Sequence, residues 1–93
     1  MAQAYGLVEV LGRANAVRVL DQMCKAADVQ FVTDYTRNGG HDTVVVSGST
    51  SACTAAVDSV KENNPCPFFG AAVMSGPSSE SDRIFQEWKD GNK

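Results

Sequence analysis

Arg37-Asn38-Gly39-Gly40-His41-Asp42-Thr43-Val44-Val45-Val46-Ser47-Gly48 decides the fold. Asn-Gly-Gly tolerates positive φ where other residues do not, so 37–42 reads as a turn. The run from Thr43 to Gly48 is continuously apolar and β-branched, which predicts a strand covered on both faces. Before the turn, Val29 to Thr36 is rich in β-branched and aromatic residues and predicts another strand, with Val29, Phe31, Thr33 and Tyr35 on one face. Strand, glycine turn and strand make a hairpin.

On either side of this hairpin the apolar period changes to that of a helix. From Arg13 to Ala27, Val17, Leu20, Cys24 and Ala27 recur at helical steps and predict an amphipathic helix with that stripe inward. Asp21 and Lys25 lie off the stripe at the spacing of an exposed ion pair. After the hairpin, Ser49, Thr50 and Ser51 offer N-caps to a helix whose stripe is Cys53, Ala56, Val57 and Val60. Pro65-Cys66-Pro67 stops it, because a residue preceding proline is pushed out of the helical region. Tyr5 to Val10 and Phe68 to Met74 read as the first and last strands. Ser79-Glu80-Ser81-Asp82 has the capping-box pattern before a short helix carrying Ile84, Phe85 and Trp88, expected to pack on its own subunit. The order β-α-β-β-α-β plus a terminal helix predicts one α+β domain over residues 4–90. Two helices cover one face of a four-stranded antiparallel sheet.

Composition narrows the function. The 93 residues are 43% hydrophobic and 20% charged, with 8 basic and 11 acidic groups and a net charge of −3. No basic cluster offers a footprint for a phosphate backbone, so nucleic acid is not an expected partner. No run approaches the roughly 20 apolar residues of a membrane span, and Met1-Ala2-Gln3-Ala4 lacks a signal-peptide layout; a cytoplasmic protein is expected. Cys24, Cys53 and Cys66 are an odd number at wide spacing, which favours reduced thiols. Cys24 and Cys53 fall on the helical stripes and are expected in the core. Without a CxxC pair one chain cannot build a thiolate cage locally, whereas a symmetric assembly contributing one cysteine per copy can. The lone His41 has no evident orienting carboxylate except Asp42, and Gly39-Gly40 lacks the lysine of a phosphate loop, so no enzyme is predicted.

From Tyr5 to Phe85 the chain resembles a bacterial microcompartment shell domain. The resemblance rests on Gly6-Leu7-Val8-Glu9, on Asp21-Gln22-Met23-Cys24-Lys25-Ala26-Ala27 and on Gly48 through Ala56, with Asn38-Gly39-Gly40 where that family places its glycine-rich pore loop. It implies a homohexameric tile that packs beside other shell proteins, with Lys25 at the hexamer edge and a pore on the six-fold axis. Gly76 departs from the family, which usually carries an arginine there that helps neighbouring hexamers meet. Pro65-Cys66-Pro67 is similar to the divergent shell proteins of the glycyl-radical propanediol type, which bind an iron–sulfur cluster in the pore.

Element lengths test whether Cys66 can reach such a pore. A strand over 42–48 carries the chain roughly 23 Å away from the glycine turn, and a helix over 50–63 returns it by roughly 21 Å. The 64–67 loop is therefore expected at the same end of the subunit as the turn. If the family's hexamer sets Asn38, Gly39, Gly40 and His41 on the axis, Pro65, Cys66 and Pro67 join them. The cofactor implied is an iron–sulfur cluster, [4Fe-4S], held by Cys66 thiolates from several copies and carrying electrons across the shell. The alternatives are a metal-free metabolite pore whose charge His41 and Asp42 set, and an unrelated small α+β regulatory module.

Overall fold

A computed structural model describes residues 3–37, 39–76 and 78–91. Seven elements follow in the predicted order: β1 (Ala4–Leu11), α1 (Arg13–Ala26), β2 (Gln30–Thr36), β3 (His41–Gly48), α2 (Thr50–Glu62), β4 (Phe68–Ser75) and α3 (Ser79–Gly91). The four strands form one antiparallel sheet in the order β2-β3-β1-β4. β1 thus pairs with β3 on one side and β4 on the other.

Two hydrophobic clusters sandwich the sheet. On one face Val8 and Val10 of β1 and Val44 and Val46 of β3 pack against α1 and α2. On the other, Tyr5 and Val45 pack against Phe85 of α3, with Leu7, Val32, Met74 and Trp88 around them. Alternation along β3 feeds both clusters, as expected of a strand covered on both sides. Phe85 and Trp88 do hold α3 to its own chain: Tyr35 stacks on Trp88 at 4.6 Å and Tyr5 meets Phe85 edge-on.

The α2 stripe is as predicted, with Cys53, Ala56, Val57 and Val60 all buried. Ser49 accepts a hydrogen bond from the Ala52 amide at 3.1 Å and caps the helix. Gly6 lets α2 come this close, since a Cβ there would lie 3.2 Å from methyl carbons of both Val46 and Val57.

Four expectations are corrected. The buried face of α1 is Ala16, Val19 and Met23, while Val17 is 64% exposed and Cys24 is exposed. Leu20 and Ala27 of the predicted stripe do pack, partly buried, against the core, but Val17 and Cys24 lie off the face that Ala16, Val19 and Met23 turn towards the neighbouring α2. In β2 a bulge between Phe31 and Thr33 breaks the alternation. Phe31 consequently lies opposite Val46 on the α1 side, while Thr33 and Tyr35 face α3. His41 and Asp42 open β3 instead of closing the turn, because β1 extends far enough to pair Leu11 with His41 and Val10 with Asp42. Finally, Ser78 caps α3, accepting from the Ser81 amide at 3.2 Å. The Asp82 carboxylate accepts a hydrogen bond from Tyr5 Oη and does not serve in a capping box.

Candidate functional site

The C-terminal end of β1 gathers the residues singled out in the sequence. On one side Leu11 pairs with His41; on the other Val10 pairs with Phe68. The glycine turn and the loop containing Pro65, Cys66 and Pro67 therefore lie at the same end of the sheet, where the element lengths placed them. Gly39 and Gly40 have φ of 89° and 82°, left-handed values that leave little alternative to glycine. The Arg37 amide donates to the His41 carbonyl at 2.8 Å and the Gly40 amide to the Arg37 carbonyl at 3.1 Å. The Gly12 amide donates to the Gly40 carbonyl at 2.8 Å, anchoring the turn to the start of α1. Asn38 lies outside the described residues.

On the α3 side of this end, Glu9 is the hub. Its Oε2 accepts from Arg37 at 2.7 Å and from His41 Nδ1 at 2.9 Å, which fixes the imidazole proton on Nδ1. These partners, His41 first and Arg37 second, hold the Glu9 carboxyl below its usual range. The other face of the imidazole interaction is Phe69, stacked at 4.5 Å. Sequence reasoning missed Glu9 as the partner of His41. Its only signal is strand parity, because Glu9 and His41 share a face only after β1 and β3 are paired in register.

Asp42 points the other way and is fully buried under α1. It is not placed to set the charge of an opening. Neither of its carboxylate oxygens has a hydrogen-bond partner among the described residues. Arg13 Nε lies 3.9 Å away, and the same guanidinium reaches Asp34 at 3.5 Å. Burial, then the neighbouring Asp34 carboxyl, pushes Asp42 up to about 6.

Cys66 sits in the loop after α2, but the residue is only 7% exposed and its side chain belongs to the cluster between sheet and helices. Among the described residues no three His, Cys, Asp or Glu side chains come together as a metal site. Cys53 is buried as expected, and burial pushes its thiol up. Lys25 pairs with Asp21 at 2.8 Å, and that carboxylate raises the ammonium's pKa. The two line a shallow groove between α1 and α2. There Gln22 donates to the Ser59 and Asn63 carbonyls and ties the end of α2 to α1. At Gly76, where β4 ends, φ is 62°, a left-handed turn that an arginine would adopt only with strain. Among the described residues no helix is long and apolar enough to cross a membrane.

Comparison with known proteins agrees with this architecture. Over 58 residues, 62% of this chain, it is 43% identical to the bacterial microcompartment shell protein EutK of Salmonella typhimurium, covering 35% of that protein. Over 54 residues it is 43% identical to the carboxysome shell protein CsoS1A of Hydrogenovibrio crunogenus, covering 56% of it. The matched stretch is thus well under two thirds of either relative's length. A crystal structure of a microcompartments protein from Desulfitobacterium hafniense superposes with a TM-score of 0.77 over 94% of this chain and 48% of the other, at 21% identity, a likeness of fold. Residues 4–76 match the BMC domain, and with most of its length accounted for in this way the chain belongs to the BMC-domain family of microcompartment shell proteins.

Proposed function

We propose that the protein is a structural tile of a bacterial microcompartment shell, a homohexamer that packs beside other shell proteins, with its axial opening at the C-terminal end of β1. The observation that carries this reading is the meeting of the glycine turn with the 64–67 loop at one end of the sheet, pinned by the His41–Phe69 stack. Side-chain-free Gly39 and Gly40 suit a narrow opening, with His41, Pro65 and Pro67 flanking it. Lys25, exposed at the rim of the α1–α2 groove, is assigned to the tile's edge. Native mass spectrometry or light scattering is expected to give six chains per particle; a stable monomer or trimer overturns the tile.

The same loop carries an extension: an iron–sulfur cluster, [4Fe-4S], held by Cys66 thiolates of several copies. Cys66 fits such a group in its place in the fold but not in its present orientation, since one chain supplies a single thiol and turns it into the core. The extension therefore requires the Pro65-Cys66-Pro67 loop to rotate that side chain outward on assembly. A bound cluster would supply one-electron transfer between lumen and cytosol. Anaerobic purification, with iron and acid-labile sulfide counted per particle, tests it. A brown protein that Cys66→Ser bleaches supports the cluster, whereas a colourless hexamer after reconstitution leaves the metal-free metabolite pore as the function.

A further inference from the structure

Asp42 is wholly buried with neither oxygen hydrogen-bonded, an arrangement that is expensive for an ionised carboxylate. The register explains what faces it. Thr36 pairs with Asp42 and Asp34 with Val44, so Asp34 lies diagonally across from Asp42 on the same face of the β2–β3 hairpin. From α1 comes Arg13, 3.9 Å from Asp42 and 3.5 Å from Asp34, with about two thirds of its side chain in solvent. From β1 the facing residue is the apolar Val10; Glu9, Arg37 and His41 lie on the opposite face. Two carboxyls thus share a single, largely solvated guanidinium.

We propose that Asp42 holds a proton directed at the Asp34 carboxylate and that this proton ties the ends of β2 and β3 together at the foot of the glycine turn, making that end of the hairpin a pH-responsive element. With the proton bound, Asp42 donates its O–H to the Asp34 carboxylate, which also faces Arg13, and the hairpin end is tied across its two strands. When the proton leaves, two negative charges stand close together in a buried site with one cation between them. Their repulsion acts at the foot of the turn, two residues from Gly40. The upward displacement of Asp42 to about 6 places the change within a physiological range.

Hydrogen–deuterium exchange of the intact protein, read on peptides spanning 37–42 and corrected for intrinsic exchange at each pH, tests the proposal, with particle mass recorded alongside. Protection at pH 5 is expected to exceed that at pH 8 by about tenfold, the equivalent of one pKa unit. Asp42→Asn, a fixed neutral isostere, should hold protection high at both pH values. Arg13→Gln, an exposed substitution not expected to impair folding, should move the midpoint upward. Equal protection at both pH values in the unmodified protein overturns the proposal. So does pH dependence retained in Asp42→Asn, which would place its origin on the opposite face of the sheet. The particle mass separates this outcome from failure of the hexamer, since the exchange difference belongs to the single chain.

Discussion

His41 lies flat against Phe69, ring centroids 4.5 Å apart and planes 12° from parallel, so that the residue after the glycine turn leans on the second residue of β4. The contact joins two segments that are adjacent only because β1 lies between their strands. Phe69 is 57% exposed, so burial contributes little and the stack itself is the main interaction. Phe69→Ala is expected to lower stability by about 0.5–1.5 kcal/mol and to raise exchange in both loops. Chemical denaturation checks the first effect; unchanged exchange in the turn would refute the second.

Glu9 connects the same turn to the sheet through Arg37 and His41. Because its carboxyl is held below the usual range, its contribution is present at neutral pH and is lost as the pH falls through the depressed value. Glu9→Gln should therefore destabilise the protein near pH 7 and lose most of that penalty in acid. Midpoints of urea unfolding measured between pH 7 and pH 3 in both proteins give the comparison.

At the other end of β1, Tyr5 donates to Asp82 of α3. Burial, followed by that carboxylate, pushes the phenol up to about 12. A raised acid favours folding fully below its ordinary value near 10 and loses that contribution as the pH climbs through 12. Alkali is expected to release α3, seen as a change in the fluorescence of Trp88 when it leaves Tyr35. Tyr5→Phe should lack this alkaline step and weaken the fold by about 1 kcal/mol.

Gly6 tests how closely α2 rides on the sheet. A methyl group there meets Val46 and Val57 at 3.2 Å, and both neighbours are buried branched side chains. Gly6→Ala is expected to cost about 1–3 kcal/mol through overpacking. Thermal unfolding would then move down by several degrees.

The three thiols should separate by reactivity. Cys24 is exposed, whereas Cys53 and Cys66 are buried. A maleimide added to the native protein is expected to label one cysteine per chain, and Cys24→Ser should abolish that label. Rapid labelling at Cys66 would show that its loop turns the thiol outward.

The order of elements, the hairpin and the α2 stripe were legible because period and punctuation agree there: Cys53, Ala56, Val57 and Val60 have no rival register. In α1 they do not agree. Arg13 to Ala27 carries two overlapping apolar stripes, and only the position of α2 chooses Ala16, Val19 and Met23. The bulge between Phe31 and Thr33 leaves no mark in a run rich in β-branched and aromatic residues, so the facing of Tyr35 could not be read. Of the candidate site, the placing of both loops at one end followed from strand and helix lengths alone. The inward turn of Cys66 did not, since a proline-flanked loop residue carries no periodic signal for its direction.

Because β1 is the inner strand joined to both β3 and β4, Ala4 finds Gly48 and Ser75 as neighbours, and the sheet closes only when nearly the whole domain has been synthesised. Such long-range pairing slows folding and leaves the flank of β1 bare until β4 arrives. A ribosome-bound chain that stops short of Phe68 would present that bare flank to other nascent copies. Translation order thus poses a hazard of premature association for a chain proposed to work as an assembled tile.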